Sequence, residues 1–369
     1  MTFDNIANSR FLTRALVLLG LWPVITVHGS WLQRNYRFYQ LFLQITFTFS
    51  FTFLMLLEVI CSESLDHATE VLKFLLTEMA LVFKILNTWY YARKAAAFLH
   101  EWETGEMFVL RSNAEKNMWA KKQSTFRKIM LGYIYWSISS AVCALLSCLF
   151  INDQALPFPY WTPNHWLEDY YWLMYFYELL TMPFTCLCNI EIDVFQCYLL
   201  LHLALCLRVV GMRLERLANA GDENAITREF LKTIKMHRRI NDMARNCEQI
   251  ISLPVTIQIM LSALIICFII YRMQSVHFSD NPTEYLAMFQ YVVAMSMQIF
   301  LPCYYANELT VQSQNLSKSL YNADWTGMSA YNRRLMLLYM QYLKLPLTMN
   351  NAYSLLALLL NVSDDKDKK

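Results

Sequence analysis

Tyr171, Tyr175 and Glu178 stand three or four residues apart inside an apolar run, so a helix through them carries two phenols and a carboxyl on one side. Tyr291, Met295 and Gln298 repeat that spacing further along, Trp136 and Ser140 share a face of another run, and Phe74 lies near one end of a fourth. Aromatic area with a few hydrogen-bonding groups suits the non-covalent capture of a small, mostly apolar molecule by burial and one or two hydrogen bonds. The same residue types also serve ordinary packing between helices, and the sequence leaves both uses open.

Glu178 is an acid in an apolar run, which by cost alone marks a functional suspect; the ordinary alternative is a carboxyl reaching outer water or a tyrosine hydroxyl. Glu78 and Lys84 share another run without the spacing of helical partners. Lys84 is expected to snorkel along its stem, and Glu78 has no partner that the sequence names.

Covalent chemistry lacks its constellations. The seven histidines are dispersed with no HExxH pairing, GMRLERLANAG lacks a phosphate-binding glycine pattern, and the ten cysteines form no CxxC pairs at zinc spacing. Most of the cysteines read as small buried apolar groups. No enzyme, metal site or cofactor is expected. A net charge of +2 without a dense Lys/Arg tract speaks against nucleic acid as a partner.

The elements that must position these residues are apolar helices. Of 369 residues, 56% are apolar and only 16% charged, too few charges for a soluble domain. Six runs approach or exceed the roughly 20 helical residues that cross a bilayer: Phe38 to Ile60, Val71 to Tyr91, Ile129 to Ile151, one from near Tyr170, Leu253 to Tyr271, and Tyr285 to Tyr305. A seventh, LMLLYMQYLKLPLTMNNAYSLLALLLN, is interrupted by Lys344, Pro346 and two asparagines. The fold class is therefore all-α, a bundle of seven transmembrane helices. The first twenty residues do not read as a signal peptide, because Asp4 and Arg14 interrupt them.

Lys and Arg collect before the first run, after the second, and between the fourth and fifth. Cys61 to Glu70 and Asn152 to Asp169 carry none, and the fifth-to-sixth connection carries only Arg272. The positive-inside rule places the N-terminus in the cytoplasm and, after seven crossings, the C-terminus outside, the reverse of a G-protein-coupled receptor. Between the fourth and fifth runs, FQCYLLLHLALCLRVVGMRLERL and FLKTIKMHRRINDMARNCEQII keep a helical apolar period while turning basic. They read as cytoplasmic extensions of neighbouring spans, suited to subunit association. Pro302 is expected to kink the sixth span, which then continues through Leu309, Leu316 and Leu320 into the same layer. Asn315-Leu316-Ser317 and Asn361-Val362-Ser363 match the glycosylation triplet, the first on the cytoplasmic side.

Pro302-Cys303, Glu308-Leu309, Ser319-Leu320 and Asn322-Ala323-Asp324-Trp325, followed by YNRRLMLLYMQYLKLPLT, resemble the C-terminal signature of insect odorant receptors. The inverted topology, long fourth helix and PFPYWTP loop are similar to that family as well. The resemblance implies an odorant-gated, non-selective cation channel of four subunits. In it an odour-tuning subunit joins a common coreceptor in the dendritic membrane of olfactory sensory neurons, with a small volatile ligand and membrane lipid as the other partners. It divides the chain into residues 1–300 (helices one to six with the extensions of helices four and five), 301–345 (anchor helices) and 346–369 (a short pore helix and polar tail). Ligand binding falls to Phe74, Trp136, Ser140, Tyr171, Tyr175, Glu178, Tyr291, Met295 and Gln298. Tyr353, Leu356 and Leu360 line the pore, with lipid contact as their ordinary alternative. Pro302, Cys303, Ser319, Trp325 and Arg333 are anchor residues, Trp325 with its ring buried and its indole N–H on a carbonyl. The chain departs from the family pattern at its end, where NAYS at Asn351 to Ser354 stands either for the terminal element or for the start of a pore helix. A non-conducting, tail-altered subunit and a seven-helix transporter or scaffold stay open as alternatives.

Overall fold

The apolar runs need every backbone N–H and C=O satisfied internally, and helices supply that. The computed structural model describes residues 7–22, 30–62, 64–147, 156–163, 166–275 and 282–347, and all the regular structure among them is helical. Helix α1 (Ala7–Leu18) packs on α7 with Leu12 and Leu16 buried. Helix α2 (Ser30–Leu43) runs through a π-helical stretch, Gln44–Phe49, into α3 (Ser50–Cys61). At that stretch the buried Gln44 side chain donates to the Leu19 carbonyl at 2.8 Å and accepts from the Thr48 hydroxyl at 2.8 Å, tying the rod to the end of α1.

Helix α4 (Leu65–Thr104) starts on Ser64, whose side chain accepts from the His67 N–H at 3.2 Å. Its 40 residues rise about 60 Å, twice the hydrocarbon thickness. Helices α5 (Asn113–Ser147), the short α6 (Trp166–Asp169), α7 (Tyr171–Glu215), α8 (Glu223–Ser275), α9 (Pro282–Tyr321) and α10 (Ala330–Tyr342) follow. Five segments among the described residues are long and apolar enough to cross a bilayer: 35–61, 113–145, and the lengths of α7, α8 and α9. The chain is thus an all-α, multi-pass membrane protein. Helix α4 carries Lys73, Glu78 and Lys84 within its apolar stretch and is not among the five.

Helix α7 is the axis. In its most apolar stretch 94% of residues are buried inside the chain, against 22% for 35–61 and for α5, and its longest contact is with α9. Gly211 allows that approach, since a Cβ there would stand 3.0 Å from Ser319 Oγ. Outward-facing Phe53, Leu131, Tyr135, Leu264 and Phe300 leave an apolar exterior that lipid, not water, accommodates.

Each basic amphipathic segment is continuous with an apolar one. Helix α8 carries FLKTIKMHRRINDMARNCEQII and the run Leu253 to Tyr271 in one rod, passing through Pro254. Helix α9 likewise runs on through the buried Pro302, so the proline sits inside a continuous helix. Charged clamps fasten these extensions: Arg239 binds the Glu101 carboxylate at 2.6 and 2.7 Å, and Arg213 reaches Glu115 at 3.4 Å and the Val109 carbonyl at 2.7 Å. Gly221, with φ 104°, makes the turn between α7 and α8 in a region that other residues avoid.

Two expectations are corrected here. The Trp325 ring is 40% exposed rather than buried, because the turn Trp325 to Met328, closed by a 3.2 Å hydrogen bond, carries it off the end of α9. Lys84 does not snorkel: it is 1% exposed and paired to Asp193 and Asn189 of α7. Tyr353, Leu356 and Leu360 lie outside the described residues.

Candidate functional site

Four helices turn the same kind of stripe toward one another. Phe74, Thr77 and Glu78 on α4, Ser137, Ser140, Ala141 and Ala144 on α5, Met182, Thr185, Cys186 and Asn189 on α7, and Met288, Tyr291, Met295 and Gln298 on α9 each recur at three or four residues. Ile269 of α8 and Phe158 of the segment 156–163 complete the wall around a cavity of about 220 Å³. Alanine and serine on α5 and α9 leave the space; larger side chains at those positions would fill it.

Aromatic rings close one side. Phe74 meets Phe158 edge-on at 4.8 Å between centroids and Tyr291 at 5.6 Å. The Tyr291 hydroxyl stands 2.6 Å from Thr77 Oγ1, which fixes the phenol against α4. Lys73 Nζ sits 4.8 Å from the Phe74 ring centroid. Glu78, Ser137 and Asn189 give the cavity a polar side.

The cavity brings together Phe74, Ser140, Tyr291, Met295 and Gln298 from the residues singled out in the sequence. It does not include Tyr171, Tyr175, Glu178 or Trp136. The two tyrosines stack on each other at 6.1 Å and pack into a separate cluster with Phe51, Leu75 and Tyr160, the Tyr175 hydroxyl donating to the Leu145 carbonyl at 2.9 Å. Trp136 is 39% exposed and forms no part of the cavity wall. Glu178 reaches neither outer water nor a tyrosine hydroxyl among its described partners. It is fully buried and accepts the Phe158 backbone N–H at 2.5 Å.

These placements have one cause. Tyr171, Tyr175, Glu178, Met182 and Thr185 form a single stripe on α7, but the segment Leu156 to Tyr160 lies over its first turns. The open space therefore begins at Met182, further along the helix than the tyrosines.

Beyond the cavity, Lys84 Nζ lies 2.5 Å from Asp193 Oδ1 and 2.7 Å from Asn189 Oδ1, so a buried ion pair joins α4 to α7 beside the cavity wall. Sequence spacing within one helix could not reveal it, since both partners sit in other turns of another helix.

The residues read as anchors lie away from the cavity. Ser319 Oγ donates to Glu215 Oε1 at 2.7 Å, Cys303 is half-buried, and Arg333 is exposed near Glu223. Helix α10 is held by Glu223 at the start of α8: its carboxylate accepts from the Ser329 N–H at 2.6 Å and from the Asn332 side-chain amide, while Thr227 donates to Asn332 Oδ1 at 2.8 Å. These hydrogen bonds, led by Ser329, hold the Glu223 carboxyl below its ordinary range. Where α10 meets α8, the Tyr339 hydroxyl pairs with His237 Nδ1 at 2.8 Å, and burial lowers the imidazole to about 4.

The family model described as 7tm Odorant receptor matches residues 64–361. Odorant receptor 94a of Drosophila melanogaster is 36% identical over 98% of this chain and 99% of its own length, and Odorant receptor 46a, isoform B, of the same organism is 28% identical over 90% and 88%. The olfactory receptor OR5 from Machilis hrabei shares the fold with a TM-score of 0.82 at 19% identity, covering 97% of both chains; its complex with eugenol gives 0.81. Helical architecture, matched family model and near full-length likeness agree: the chain belongs to the insect odorant receptor family, a receptor rather than an enzyme.

Proposed function

We propose that this chain is the odour-tuning subunit of an odorant-gated, non-selective cation channel, and that its ligand is a small volatile molecule held in the cavity among α4, α5, α7 and α9. The observation that carries this reading is the cavity itself, about 220 Å³ with an aromatic side and a polar side, built from helical stripes on four elements. The Machilis hrabei receptor of the same fold binds eugenol, a molecule of suitable size.

In this reading seven helices cross the membrane with the N-terminus inside. Helix α4 is one of them: its Lys84 is neutralised by Asp193 rather than exposed to lipid. The seventh crossing begins beyond α10, and Tyr353, Leu356 and Leu360 supply an apolar constriction that stops ions until it widens. Residues 1–300 hold the ligand site, 301–345 form the anchor layer with Pro302, Cys303, Ser319, Trp325 and Arg333, and 346–369 form the pore helix and tail. Trp325, exposed in the single chain, suits contact with the coreceptor. The site of action is the dendritic membrane of olfactory sensory neurons.

The test is co-expression with a family coreceptor and recording of currents across a panel of volatiles, with surface delivery verified. Currents unlike those of the coreceptor alone are expected; currents identical under every ligand would reject the reading.

A further inference from the structure

Glu78 is the costliest residue in the cavity wall. It is 6% exposed, it lines the cavity, and its Oε2 has no hydrogen-bond partner among the described residues. Thr185, which lines the same space, directs its hydroxyl to the Met182 carbonyl at 3.3 Å. Ser137, 8% exposed on the facing helix α5, also lines the cavity with its Oγ unpartnered. A buried acceptor without a donor carries its full desolvation cost, and an apolar residue of similar size would avoid that cost.

From these two groups we infer that the cavity selects ligands bearing a hydroxyl, an alcohol or a phenol on a small apolar skeleton, with Glu78 Oε2 accepting the ligand's O–H. The inference rests on the reading of this cavity as the ligand site. A hydroxyl both donates and accepts, so it meets the chemistry of a carboxylate oxygen and of a serine hydroxyl. A hydrocarbon meets neither, and an ester or ketone offers Glu78 no donor. The aromatic side, Phe74, Phe158 and Tyr291, takes the skeleton. Lys84, the other buried charge nearby, is already committed to Asp193 and Asn189, so among the described residues it does not answer the Glu78 carboxyl.

The experiment measures ligand-induced thermal stabilisation of the purified full-length protein in detergent. It uses two pairs in which a methyl group replaces the hydroxyl: phenol with toluene, and cyclohexanol with methylcyclohexane. Wild type should be stabilised by the hydroxyl member at concentrations where Glu78→Met needs roughly tenfold more, the factor expected for one hydrogen bond, while the hydrocarbon responses of the two proteins coincide. Glu78→Gln keeps the size and one acceptor oxygen but replaces the other with an amide nitrogen, so it should lie between them, and it carries the test if Glu78→Met does not fold. An equal loss for both members of a pair, or an unchanged response to the hydroxyl members in either variant, overturns the inference while leaving the cavity as ligand site. Absence of stabilisation by all four compounds in wild type overturns the inference together with the reading beneath it.

Discussion

Lys84 on α4 and Asp193 on α7 meet at 2.5 Å with both side chains buried, and Asn189 adds a second acceptor to the ammonium. Asp193→Leu leaves that ammonium without its counter-charge, a loss of about 3–5 kcal/mol in stability. Pairing it with Lys84→Met should restore most of the loss, because two apolar side chains need no partner. Thermal unfolding of the four proteins checks this; equal destabilisation of the single and double variants would contradict it.

Glu178 holds the segment 156–163 against α7 through the Phe158 N–H, and Phe158 in turn forms part of the cavity wall. Glu178→Leu removes that acceptor and costs about 1–3 kcal/mol for the orphaned N–H. Proteolysis of the segment should quicken, and ligand sensitivity should fall although Glu178 itself does not touch the cavity. Unchanged protection of the segment would refute the role.

The Glu223 clamp on α10 depends on an ionised carboxylate accepting from Ser329 and Asn332. Its folded-state pKa lies below the ordinary value, so its stabilising effect is present above that value and is lost as pH falls through the depressed one. Glu223→Gln should therefore flatten the acid side of the stability curve and increase hydrogen exchange in α10 at neutral pH. Exchange confined to other elements would contradict the assignment.

His237 is buried against Tyr339 and titrates near 4 instead of 6.5. Between those two values the unfolded chain binds more protons, so stability rises with pH through that window and is lost on acidification. His237→Gln, neutral throughout, should lose less on going from pH 7 to pH 4.5 than the wild type does. The two slopes, followed by thermal unfolding, decide it.

Much of the fold was legible because apolar period and charge asymmetry are local signals. The described residues of the six apolar runs lie in helices, and α8 and α9 continue beyond theirs. The cavity was half legible: Tyr291, Met295 and Gln298 share a face at helical spacing, and that face does meet the space. Spacing says which residues share a face but not what the face meets. For that reason Tyr171 and Tyr175, on the same stripe of α7 as Met182, go to a packed cluster under Leu156 to Tyr160. Glu78 and Lys84 were visible as costly residues, yet the partner of one and the solitude of the other depend on α7, more than a hundred residues away in sequence. The exposure of Trp325 is not legible from period, because a turn sets its direction.

Ser140→Phe tests the ligand site most directly. The substituted ring enters the cavity from α5 without touching Lys84, Asp193 or the Glu223 clamp, so surface delivery and co-purification with a coreceptor should match wild type. Currents evoked by every active volatile should fall at least tenfold, since the ring takes up much of the space for a ligand. Full-sized currents with unshifted sensitivity from a correctly delivered Ser140→Phe protein would place ligand binding elsewhere in the molecule.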